Sequence, residues 1–148
     1  MTKLSDYGIL VLTCFAARQD EKCTARDIAS VTRLPLPVVS KALKLLTRSG
    51  LLSSQRGVKG GYSLAQQPEK IAIAAIIHAL EGPIAVTQCA HKTGSCELET
   101  GCPVRTNWQL INHAIQSALE RITLADMMQT LHEPMVNLPL AGRRFQIR

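Results

Sequence analysis

Leu34-Pro-Leu-Pro-Val-Val-Ser-Lys-Ala-Leu-Lys-Leu-Leu-Thr-Arg-Ser-Gly50 reads as one helix with its start and stop written into it. Each proline drives the residue before it out of the α region, so Leu36 is expected outside the helix and Pro37 at its first position. Gly50 follows the last turn as a C′ residue. Val39, Leu43 and Leu46 recur at helical spacing and form the buried face, which leaves Ser40, Lys41, Lys44 and Arg48 largely off it.

The segments on either side decide what kind of helix this is. Upstream, Thr24-Ala-Arg-Asp27 is a capping box with Asp in place of the usual Glu. It opens a short helix, roughly residues 25–31, and Thr32-Arg33-Leu34 form a turn. Downstream, Leu51-Leu-Ser-Ser-Gln55 and Tyr62-Ser-Leu64 are strand candidates around Arg56-Gly-Val-Lys-Gly-Gly61, a hairpin tip with three glycines and two cations. Helix, turn, helix and basic hairpin, in that order, make a winged helix-turn-helix, whose second helix lies in the DNA major groove with the wing beside it. The expected fold class is mainly α with a small β-hairpin wing, followed by a long C-terminal helix.

Further out, residues 6–18 read as a buried helix capped by Ser5 or Asp6, with Cys14 as a core thiol. Cys23 is an incidental thiol. Residues 70–81 form another helix, through Ile71, Ile73, Ile76, Ile77 and Leu80, ended by Gly82-Pro83. Pro103 starts a long helix in which Trp108, Ile111, Ile115, Ala118 and Ile122 recur as a narrow stripe. A stripe of that kind is a seam for a partner helix, and the position beyond a loop favours a homodimer over packing on the chain's own body. His78 and His113 fall on helices as structural residues. The expected organisation is a winged-helix domain over 1–83, a cysteine loop over 84–102, a dimerisation helix over 103–132 and a tail over 133–148.

Charge supports this division. The chain has 148 residues and a formal net charge of +6. Residues 1–70 hold eleven Lys/Arg against five acids, whereas residues 71–148 are balanced at six of each. The excess positive charge sits in the winged-helix half and points to a polyanionic partner, double-stranded DNA. No apolar run approaches the roughly 20 residues that span a membrane, and the N-terminus has no signal-peptide pattern. The expectation is a cytoplasmic protein with no membrane contact and no small-molecule substrate. No phosphate loop, nucleophile elbow or paired-acid constellation calls for an enzyme.

Cys89, Cys96 and Cys102 lie close together in a polar stretch, with Gly94 and Gly101 near the later two. In a reducing compartment such a cluster reads as a metal centre or a redox group rather than a set of structural disulfides. An iron–sulfur cluster, a zinc ion and a disulfide switch all use such thiols.

The sequence resembles the dimeric winged-helix regulators that include IscR, NsrR and RirA. Leu4-Ser-Asp-Tyr-Gly8, Arg56-Gly-Val-Lys-Gly-Gly-Tyr62, Leu80-Glu-Gly-Pro83, the three-cysteine stretch and Ile122-Thr-Leu-Ala-Asp126 carry the resemblance over roughly residues 1–130. Through Leu34-Pro-Leu-Pro-Val-Val-Ser-Lys41 and Ala85-Val-Thr-Gln-Cys89 it looks nearest to the branch that regulates the SUF iron–sulfur assembly system. The resemblance implies a homodimer on a pseudo-palindromic operator, a repressor of iron–sulfur assembly genes, with one cluster per subunit. By analogy, 2Fe–2S is favoured over 4Fe–4S, and relatives that sense nitric oxide or oxidation belong to the same group. It also implies Cys89, Cys96 and Cys102 as ligands. The histidine that completes the set in IscR is replaced here by Arg105, which stays protonated and cannot ligate. Asp6 of the partner subunit is then the first candidate for fourth ligand, as in NsrR-type members. Helix capping is its competing role, and His91 is the runner-up. Lys41, Lys44, Arg48, Arg56 and Lys59 are expected on phosphates or in the minor groove. Pro37, Val38, Ser40 and Lys41 are expected at base edges, with Val38 suited to a thymine methyl.

Overall fold

Thr2 begins the first helix, earlier than Ser5 or Asp6. Its backbone is extended and its side chain accepts a hydrogen bond from Leu4 N at 3.2 Å, so α1 runs Lys3–Ala17. Ser5 thereby becomes an interior helical residue and is fully buried. The computed structural model describes residues 2–18, 21–87 and 102–129. Cys89, Cys96, His91 and the expected tail lie outside them.

α2 (Ala25–Thr32) opens on the expected capping box: Thr24 accepts from Asp27 N, and the Asp27 carboxylate accepts from Thr24 N at 2.8 Å. The Thr24 hydroxyl also donates to that carboxylate at 2.7 Å, and this bond, with the one from Thr24 N, holds the Asp27 carboxyl below the ordinary aspartate range. Arg33 closes the turn in the left-handed region, φ 57°. α3 (Leu36–Arg48) takes Pro35 as its N-cap, so Leu36 is helical and Pro37 sits second rather than first. The first-turn amides of a helix have no intrahelical acceptor, so a proline there costs no bond. Ser49 and Gly50 (φ 77°) end α3 as expected.

β1 (Leu52–Gln55) and β2 (Gly61–Leu64) form the antiparallel wing, with Leu52 opposite Leu64 and Gln55 opposite Gly61. A short bridge from Cys23 to Tyr62, with N···O distances of 3.0 and 2.9 Å, ties the tip-side half of β2 to the chain entering α2.

After a 3₁₀ turn at Pro68–Lys70, α4 spans Ile73–Glu81. It starts later than the apolar pattern suggests because the backbone around Ile71 bonds elsewhere. Leu124 N donates to Ile71 O, and Ile73 N donates to Ile122 O, both at 2.8 Å. α5 covers Arg105–Arg121, and α6 covers Leu124–Met128 behind a second capping box, Thr123 with Asp126. The stretch read as one helix is therefore two, and its far end returns to the winged-helix body. Leu124 is buried in the same core as Val11, Leu12 and Phe15 of α1, Ile28 of α2, Val39, Leu43 and Leu46 of α3, Leu52 of β1 and Ile76 of α4.

Candidate nucleic-acid interface and metal centre

The core face of α3 dictates what its other face can do. Val39, Ala42, Leu43 and Leu46 are wholly buried, so Pro37, Ser40, Lys41, Lys44 and Arg48 stand exposed on the opposite side, with Val38 half-buried between. Arg56 and Lys59 are exposed in the wing. The structure thus brings the cations of helix and wing onto solvent-facing surface. The sequence reading passed over Lys22, which hydrogen-bonds the side chain of Gln55, in the rung of the wing next to its tip. It also passed over Val58, at the wing tip between the two cations.

Of the candidate metal ligands, Cys102 and Asp6 are described. Cys102 is a half-buried free thiol whose carbonyl accepts from Arg105 N at 3.3 Å, in the turn that opens α5. Asp6 lies exposed in the first turn of α1. Thr2 caps that helix, so the capping role that competed with ligation at Asp6 is taken by another residue. Among the described residues, no three His, Cys, Asp or Glu side chains come together as a metal site. Cys89 and Cys96, the other two candidate thiols, lie outside those residues. Three thiols with a carboxylate form a donor set that suits iron or zinc, so by donor chemistry the residues present fit such a group.

His78 and His113, expected as structural residues, are both exposed on their helices. Cys23 is buried beneath the wing and accepts from Arg18 Nη1 at 3.6 Å. Cys14 packs against the core, and burial pushes its thiol pKa up.

Two short stretches singled out in the sequence prove to be halves of one contact. Ser5 Oγ and Thr2 donate to the Glu81 carboxylate, and these bonds draw its pKa down to about 2. One turn on, Gly8 lies against Leu80, where an added Cβ would stand 2.2 Å from Leu80 Cδ1. Leu4-Ser-Asp-Tyr-Gly8 thus exists to seat Leu80-Glu-Gly-Pro83, and the seat presents Asp6 on the outer side of α1. A second anchor follows. Asn112, the buried polar residue of α5, donates from Nδ2 to Ile84 O at 3.1 Å and accepts Val86 N on Oδ1 at 3.0 Å. It binds the chain that leads toward Cys89 directly to α5.

The outward side of α5 carries the expected stripe. Trp108, Ile111 and Ile115 are 37%, 43% and 38% exposed, and Ile122, just past the helix end, is exposed too. No described helix is long and apolar enough to cross a membrane.

A family model described as Rrf2, iron-dependent transcriptional regulator, matches residues 1–130. The chain is 30% identical over 130 residues to protein rrf2 of Nitratidesulfovibrio vulgaris, covering 87% of each chain. It is 32% identical over 129 residues to the HTH-type transcriptional regulator IscR of Aliivibrio salmonicida, covering 86% of this chain and 76% of that one. Among solved structures it is similar to CymR, the global cysteine regulator of B. subtilis, with a TM-score of 0.68 and 27% identity over 86% of this chain and 95% of that one. These relatives are regulators of transcription rather than enzymes.

Proposed function

We propose that this chain, which belongs to the Rrf2 family of iron-dependent transcriptional regulators, is a homodimeric repressor whose hold on its operator is set by an iron–sulfur cluster. Cys89, Cys96 and Cys102 would hold the cluster in one subunit, completed by Asp6 of the other, and iron–sulfur assembly genes would be the regulated set. The observation that carries the reading is Cys102, a free thiol in the turn that opens α5, the helix bearing the exposed apolar stripe. The bound group supplies a centre whose occupancy follows iron and sulfide supply and which is lost to oxidants or nitric oxide. The chain's own part is mechanical. α5 is fastened through Asn112 to the chain leading toward Cys89, and just past its end the backbone of Ile122–Leu124 bridges to Ile71–Ile73 of the winged-helix body. A shift at the cysteine stretch therefore reaches the spacing of the two α3 helices, and a dimer reads half-sites only at about 34–36 Å or multiples of it.

Anaerobic purification with absorbance and Mössbauer spectra tests this, followed by operator titration of loaded and stripped protein. Red-brown protein whose operator affinity changes on stripping is expected, and 2Fe–2S is the expected nuclearity. Asp6→Ala is expected to shorten cluster lifetime while leaving the stripped fold intact; an unchanged lifetime removes Asp6 from the ligand set. A second reading keeps the same thiols but has them hold zinc or form a disulfide in place of a cluster. Colourless protein with zinc, or with thiols that titrate away on oxidation, would decide for it.

A further inference from the structure

We infer that Val58, at the tip of the wing, enters the minor groove of duplex DNA and selects A·T over G·C pairs there. The inference rests on the chain being a DNA-binding regulator and extends it to a residue so far without a role.

The wing is a short, closed finger. Gln55 stands opposite Gly61 in the last rung of the ladder. Beyond it, Gly60 N donates to Gly57 O at 2.9 Å, making Val58 and Lys59 the two central residues of a tight turn. Gly60 is held so closely that an added Cβ would lie 2.3 Å from Gln55 O and 2.8 Å from Gly57 O. Only glycine fits, and the tip has one compact shape. Val58 projects from it at 107% relative exposure, beyond even an extended reference chain.

A side chain so exposed buries nothing in the folded protein. Turn centres favour Asn, Asp, Ser or Gly, which bond their own backbone or tolerate unusual angles. A stiff, β-branched apolar residue has no local reason to be there. It gains burial only against a partner, and Arg56 and Lys59 beside it define that partner as a polyanion. A finger this slim suits the minor groove of DNA, about 6 Å wide. On the groove floor, A·T pairs present only acceptors, whereas G·C pairs add the projecting guanine 2-amino donor. Valine has no acceptor for that donor. Seated on a G·C pair it would desolvate the amino group without replacing its hydrogen bond, which sets the direction of the preference.

The test uses a duplex of about 30 base pairs, long enough for two half-sites, recovered from a random pool by the wild-type protein. Its wing positions are remade as A·T, G·C or inosine·cytosine; the last keeps the major-groove face of G·C but lacks the 2-amino group. Val58→Ser is expected to bind the A·T duplex about fivefold to tenfold more weakly, to lose the A·T preference, and to keep the wild-type salt slope. Lys59→Ala is expected to lower that slope by about one and to keep the preference. Wild-type protein should bind the inosine duplex as it binds A·T. Wild-type affinity and preference in Val58→Ser, or an inosine duplex that behaves like G·C, overturns the inference. A wild-type protein that recovers no duplex overturns the DNA-binding premise as well. Coincident thermal melts for Val58→Ser and wild type are expected, since the side chain supports nothing in the fold.

Discussion

Glu81 shows how one side chain can make sense of two separated stretches of sequence. It is acidic and largely exposed, yet it collects donors from Thr2 and Ser5 and holds the start of α1 against the end of α4. Its folded-state pKa of about 2 lies below the usual value of 4.5. The contribution to stability is therefore complete above pH 4.5 and fades as the pH falls toward 2. Urea midpoints followed across that range are expected to fall more steeply for wild type than for Glu81→Gln, and identical slopes would show that the carboxylate does not hold the two helices. Gly8 makes the same point sterically. Helical propensity argues against glycine in mid-helix, but the 2.2 Å approach to Leu80 leaves no room for a methyl unless Leu80 moves. Gly8→Val is expected to destabilise the fold by about 2 kcal/mol, measured by urea denaturation, because the crowding falls within a packed core.

At the scale of elements, α5 is fastened on one side and bare on the other. Asn112 satisfies both backbone groups of the passing chain, and its removal strands Ile84 O and Val86 N together. Asn112→Ala is expected to cost about 1–3 kcal/mol and to speed hydrogen exchange at the Val86 amide, with β1 and β2 unaffected. Unchanged exchange at Val86 would mean that the chain is held by other contacts. α5 also marks where sequence reading stopped. The winged helix was legible because its signals are local: the Thr24 box, the prolines at the start of α3, the spacing of Val39, Leu43 and Leu46, and the glycines of the hairpin. The start of α4 and the end of α5 were not. Both are set by pairing between Ile71–Ile73 and Ile122–Leu124, residues distant in the chain, and periodicity carries no record of such a partner. The cap of α1 was misplaced for a simpler reason: Ser5 looks like a cap until its burial against α4 is known. Asp6 and Cys102 were legible as residue types, but that Thr2 and not Asp6 caps α1 was not.

For the whole molecule, the proposed pairing would use the exposed stripe of Trp108, Ile111 and Ile115 as the seat for a second copy. Ile115→Glu is expected to turn a sedimenting dimer into a folded monomer with unchanged helical content and much weakened operator binding; a wild-type monomer at working concentration would refute the pairing. The bridge between Cys23 and Tyr62 bears on how such an assembly would respond. It fixes the outer half of the wing, near its tip, to the chain joining α1 and α2, and the core fixes α3 to the same helices. The hairpin cannot swing like a flap on a hinge. Helix α3 and the wing are held to one core, so on the proposed reading their contacts with DNA would be made or broken together. A regulator built in this way throws a switch and does not turn a dial.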